Sequence, residues 1–258
     1  MKTKIIIFGV ILLLFFNGVM STSGADSITK IINEKLNESI EIKEHEEGVL
    51  FRDDFNKDSD HWVHWNAGSG YHSIVEFPEF DIRYCRLTIL YGNPGLYHNS
   101  EIWTNESDPY LYNNFKANIS VDRITKGSKG WGFYNREYLN ENMSYAWFMY
   151  NRFSTIGLFP TNGFFAISWN SNTDWSIKRI RNVDITKLHE YEINWTENSL
   201  DFYIDGKNVA HFTRGIPTKP LKADVWIDNM NFLPPFFRKK MNIERPNSIN
   251  INYIEVTE

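Results

Sequence analysis

The stretch "HEYEINWTENSLDFYIDGKNVA", residues 189–210, decides the fold. Tyr191, Ile193 and Trp195 alternate with polar residues, and so do Leu200, Phe202 and Ile204. Successive strand residues point to opposite faces, so each run is a strand with one buried side. Thr196-Glu-Asn-Ser199 lies between them as a polar turn. Asp205-Gly206 then turns the chain again into Val209, because Asp-Gly tolerates the positive φ angles of a tight hairpin turn. The segment therefore predicts two successive antiparallel hairpins.

Working outward, the same texture runs from Val49 to the last residue. The strong strand candidates are "VLFRDDF", "CRLTILYG", "EIWTN", "LYNNFKANISVDRI", "GWGFYN", "YAWFMYNRF", "GFFAISWN", "WSIKRIRNV", "LKADVWIDNMNF" and "INYIEVTE". Gly, Asn and Pro punctuate them, and nothing after residue 48 has the apolar period of a three-turn helix. The pattern predicts an all-β antiparallel sandwich over residues 49–258.

The first residues differ. Lys2 and Lys4 precede an apolar run from Ile5 to Phe16, and a small-residue segment, Ser21 to Ala25, follows. This is the pattern of a secretory signal over residues 1–25, and the run is short of the roughly 20 residues that span a bilayer. The alternative is an uncleaved anchor. No later segment is long and apolar enough to span, so the mature chain is expected to carry no membrane span. Residues 26–48 are charged and carry Ile28, Ile31, Ile32 and Leu36 at helical spacing, a short helical or flexible lead-in.

The net charge of −5 and the absence of a basic stripe argue against a nucleic-acid partner. A single cysteine, Cys85, excludes an intramolecular disulfide and reads as a small buried residue. Aromatic residues make up 16% of the chain, with nine Trp, more than a core alone requires. Sequons stand at Asn37, Asn105, Asn118, Asn142 and Asn194, and alternation turns Asn194 away from the core.

Three segments together resemble the concanavalin A-like lectin/glucanase superfamily: "LFRDDF" at 50–55, the hairpin at 189–210 and the closing strand "INYIEVTE" at 251–258. They fall in that superfamily's order. The resemblance implies a jelly roll of two antiparallel sheets with one face forming a groove. In its laminarinase and lichenase-like glycoside hydrolases, the groove holds a β-glucan and one strand reads Glu-x-Asp-x-x-Glu. Alternation on a strand brings such carboxylates to one face, where two about 5 Å apart can flank a glycosidic bond. The corresponding region here, Trp131 to Trp169, holds only Glu137 and Glu141 as acids, so that motif is not found in it.

Sugars stack on aromatic faces and accept or donate hydrogen bonds at Asn, Asp, Arg and Trp N–H groups. Trp131 and Asn135, Trp147 and Asn151 with Arg152, and Trp169 are the candidate platform, if their faces line the groove rather than the core. Trp226 and Asp228 in "ADVWIDN" share a second polar face. Asp53, Asp54 and Asp58 supply carboxylates for a structural calcium of the kind related lectin and laminin-type sandwiches hold, although their spacing fits no strict loop. No other cofactor is implied. His61 and His64 flank Trp62 without a partner motif. The expected role is non-catalytic binding of a polysaccharide or glycan by a secreted or cell-surface protein. The alternatives are a glycoside hydrolase or polysaccharide lyase with a non-standard active site, and a structural or adhesive module.

Overall fold

Both turns of the 189–210 segment form as their residues dictate. Asp205 and Gly206 have φ of 50° and 73°, the two positive values of a type I′ turn. Asp205 also holds the turn from the side, accepting from the Glu190 amide at 3.0 Å and meeting His189 Nδ1 at 2.7 Å. At the other turn, Thr196 Oγ1 accepts from the amides of Asn198 and Ser199.

The structure is a computed structural model that describes residues 48–56, 61–77, 82–90, 95–105, 109–135, 143–152, 162–233 and 237–258. The chain divides into two units, Met1–Gly48 and Val49–Glu258. The expected signal and helical lead-in lie outside the described residues, as do Asp58, Glu137 and Glu141. The second unit is all-β and contains no helix among the described residues.

Strands are numbered in chain order. The eight-stranded sheet holds β1 (Val49–Asp53), β3 (Gly70–Phe77), β4 (Ile82–Ile89), β6 (Asn114–Val121), β11 (His189–Trp195), β12 (Leu200–Ile204), β13 (Lys207–Phe212) and β17 (Asn247–Thr257). The seven-stranded sheet holds β2 (Trp62–Ala67), β5 (Asn99–Thr104), β7 (Gly127–Tyr134), β8 (Tyr145–Arg152), β9 (Gly163–Ser171), β10 (Asp174–Ile180) and β14 (Lys222–Asp228). Their spatial orders are β13-β12-β11-β6-β17-β4-β3, with β1 also on β17, and β10-β9-β8-β7-β14-β5-β2. Every pairing in both is antiparallel. A separate hairpin joins β15 (Met230–Leu233) to β16 (Phe237–Lys240).

The two sheets meet through aromatic rings. Trp131 lies 4.6 Å from Tyr191, Phe148 5.1 Å from Phe202 and Phe133 5.7 Å from Phe115, each pair crossing from one sheet to the other. Burying one such side chain contributes about 1.5–3 kcal/mol, and together they replace the disulfides this chain lacks. Cys85 is buried and free, in line with its reading as a packing residue. Asn194 is half-buried on the side of β11 opposite the buried Ile193 and Trp195.

One glycine is set by close approach. A Cβ on Gly130 would run into the Trp226 indole and stand 2.7 Å from the Phe148 carbonyl oxygen. Gly130→Ala is therefore expected to cost about 1–3 kcal/mol through overpacking. Chemical denaturation checks this, with a shifted Trp fluorescence spectrum as the sign that Trp226 has moved.

Candidate functional site

Alternation divides each central strand of the seven-stranded sheet between two environments. On β8, Ala146, Phe148 and Tyr150 join the inter-sheet core, while Tyr145, Trp147 and Met149 join a second apolar cluster. On β9, Phe164 and Ala166 face the core, and Phe165, Ile167 and Trp169 join that second cluster. On β14, Val225 and Ile227 face in and Trp226 faces out. The second cluster thus lies on the face of the sheet turned away from the sandwich core.

Its rings are ordered. Tyr145 stacks on Trp147 at 3.9 Å and on Trp169 at 5.9 Å, with interplanar angles of 13° and 14°. Trp169 in turn stacks on Trp175 at 6.1 Å and 16°. Register explains the row: Trp175 of β10 pairs with Trp169 of β9, and Trp169 pairs with Tyr145 of β8. Trp226 tilts against Trp147 at 4.4 Å. The inner members are buried, whereas Trp175, at the sheet edge, is 41% exposed. The indole N–H of Trp147 is buried and has no hydrogen-bond partner among the described residues.

Polar groups border the rings on the same face. Asp228 stands opposite Ser128 on β7 and Asn99 on β5. Trp226 Nε1 donates to Ser128 Oγ at 3.1 Å, and Ser128 Oγ donates to Asp228 Oδ1 at 2.7 Å. The Met230 amide donates to the same oxygen at 2.9 Å. Glu101 of β5 stands opposite Trp226 and accepts from Asn99 Nδ2 at 3.0 Å. Burial pushes the Asp228 carboxyl up to about 7; its bonds from Ser128 and Met230 oppose this, and the charge of Glu101 adds to it. On the inner face Lys129 is fully buried, and burial pushes its ammonium down to about 7 against the pull of Asp228 and Asp122.

The structure separates the expected platform residues. Trp147, Asn151, Trp169, Trp226 and Asp228 share the outer face. Trp131 does not: it pairs with Phe148 and Val225, both core residues, and is itself wholly buried between the sheets. Asn135 is buried just beyond β7, with its amide donating to the Ser144 carbonyl at 3.0 Å. Arg152 ends β8 exposed and donates to the Ile124 carbonyl at 3.1 Å. Trp175 and Glu101 complete the outer face and were not among the expected residues. Trp175 was legible as the apolar beat of "WSIKRI"; Glu101 lies far from 131–169 in sequence and joins the face only through the β14–β5 pairing.

Of the carboxylates considered for calcium, Asp53 accepts from the Phe55 amide at 2.7 Å and from Trp62 Nε1 at 2.8 Å. Asp54 pairs with Arg52 at 2.9 Å. These bonds pin the start of the sandwich. His64 stacks on His72 at 3.7 Å, and the described residues hold no cluster of three metal-binding side chains.

Two antiparallel sheets packed face to face form a jelly-roll sandwich, the fold that the three sequence segments implied. The profile of glycosyl hydrolases family 16 matches residues 160–226. Among solved structures, the Bacillus licheniformis β-glucanase is similar with a TM-score of 0.56 and 16% identity, over 83% of this chain and 100% of that one. The Mycobacterium marinum β-1,3-glucanase gives 0.55 and 13%, over 82% and 99%. The GlcNAcα1-4Gal-releasing endo-β-galactosidase of Clostridium perfringens gives 0.57 and 15%, over 81% and 61%. No curated protein matches. No helix among the described residues is long and apolar enough to cross a membrane.

Proposed function

We propose that this protein binds a glycan across the outer face of its seven-stranded sheet, outside the cell, without cleaving it. One observation carries the reading: the near-parallel row Trp147, Tyr145, Trp169 and Trp175, whose last ring opens to solvent at the sheet edge. A flat ring exposed beside buried ones is a surface on which sugar C–H faces stack. The buried Trp147 N–H is a donor that a sugar hydroxyl would satisfy. The outward residues of β8 are Tyr145, Trp147, Met149 and Asn151, so that strand offers no carboxylate for hydrolysis. The similar solved structures include a β-glucanase and a β-1,3-glucanase, which makes β-glucans the first ligands to test. The signal pattern of residues 1–25 supports an extracellular location.

A second reading rests on Asp228. A carboxyl held protonated near neutral pH beside Glu101 is the pairing a glycosidase uses, one group as acid and the other as base or nucleophile. A glycan array with the purified protein, followed by a reducing-end assay on each hit, separates the two. Binding without new ends, lost in Trp175→Ala, supports the first reading. Release of new ends, abolished in Asp228→Asn, overturns it in favour of the second.

A further inference from the structure

The edge strand β10 carries more than Trp175. Its outward residues are Trp175, Ile177 and Arg179, set against Trp169, Ile167 and Phe165 of β9. Trp175 and Ile177 are 41% and 40% exposed, so an apolar strip runs along the edge. Arg179, the last of these outward residues, also borders a cavity of about 570 Å³ whose apolar wall belongs to the core side of the sheet. Tyr150 and Phe164 form part of its wall, and Arg179, Arg181 and Asp184 stand among its polar residues. From Trp175 to Arg179 is four residues of strand, about 13 Å.

Among the described residues, the cations here have no ion-pair partners. The ion pairs among the described residues involve Arg52, Arg83, Lys116, Lys126, His189 and His211, and leave out Lys178, Arg179 and Arg181. The Arg179 guanidinium lies against the backbone of Gly163, where a Cβ would come within 2.9 Å of its Nε. Among the described residues, Asp184 is the one carboxylate lining the cavity, and it is turned to Thr186, whose hydroxyl donates to it at 2.6 Å. Two unpaired guanidiniums beside an aromatic wall form a receptor for a planar or tetrahedral anion, since their fixed forks match carboxylate and sulfate oxygens. The protein as a whole is acidic, at −5, so this local positive charge is not a by-product of composition.

We propose that the glycan taken by the outer face is anionic, with Arg179 and Arg181 holding its carboxylate or sulfate groups at the cavity while the chain passes over Trp175. This rests on the glycan-binding reading. The competing explanation is that charges on an edge strand merely discourage pairing with another sheet. That role needs charge but no particular fork, so Arg179→Lys would serve it as well.

The test is affinity electrophoresis of the full protein in gels containing polygalacturonate, a sulfated galactan or a neutral mixed-linkage β-glucan. The expected result is binding to an anionic polymer at least about tenfold tighter than to the neutral one. The Arg179→Ala/Arg181→Ala variant loses that advantage, and Arg179→Lys loses most of it. Melting temperatures stay unchanged, because both side chains are exposed. Polygalacturonate and the galactan distinguish carboxylate from sulfate. Equal retention by the neutral glucan, or full anionic binding in the double variant, overturns the inference. If Trp175→Ala still weakens binding in either case, the glycan-binding reading stands without it. Retention of the wild type by none of the polymers overturns both.

Discussion

Trp131→Ala is expected to lower the unfolding free energy by about 3–5 kcal/mol, the range for deleting a buried indole. Trp131 is wholly buried and touches Phe148, Phe164 and Tyr191, so its removal opens a cavity on both sides of the inter-sheet core. For a domain of ordinary stability that is a large share of the total. Trp175→Ala is expected to behave in the opposite way, changing stability little and ligand retention greatly, because its ring is half in solvent. Denaturant titration of the two variants measures the contrast. A Trp131→Ala protein of wild-type stability that fails only in binding would place Trp131 in the ligand face and reverse the division of faces described above.

Asp228→Asn is expected to remove a falling limb from the pH dependence of stability. The folded carboxyl titrates at about 7, while an unfolded aspartate titrates near 3.8. Between those values the folded state holds a proton that the unfolded state has released, so stability falls as pH rises and then levels off. The accumulated loss is on the order of several kcal/mol for a fully buried carboxyl. Lys129 works in the other direction. Its folded ammonium titrates at about 7 and its unfolded one near 10.5, so the unfolded state binds more protons in that window and stability rises with pH. The wild type should therefore show a minimum near neutral pH from this pair. In Asp228→Asn the amide oxygen still accepts from Ser128 and Met230, so the variant should be the more stable protein at pH 8 and nearly equal at pH 4. Thermal melts across that range decide it; parallel wild-type and variant curves would mean that Asp228 is ionised throughout.

The scaffold was legible because its decisive signals are local. A polar turn, an Asp-Gly turn and strict alternation specify the hairpin of β11 to β13 without knowledge of the rest of the chain. On β14 the alternation marked two faces, and the structure turns Val225 and Ile227 inward and Trp226 outward. It failed on β7 because nearly every residue of β7 and β8 is buried, so period two marks two faces without saying which is the core. What assigns Trp131 inward is its pairing with Phe148 rather than Trp147, a register that no local pattern encodes. Glu101 was invisible for a similar reason. It reaches Trp226 only when β5 pairs with β14, more than a hundred residues later in the chain.

The position of β17 has a consequence for how the protein is made. This strand lies between β6 and β4, and its second half also carries β1. It is the last strand of the sandwich to leave the ribosome, yet it supplies the middle of the larger sheet. Until residues 247–257 emerge, β6 and β4 are two unpaired edges, each able to recruit a strand from another nascent chain. Assembly of that sheet must therefore wait until β17 has emerged, and protection of its open seam falls to whatever holds the chain during that interval.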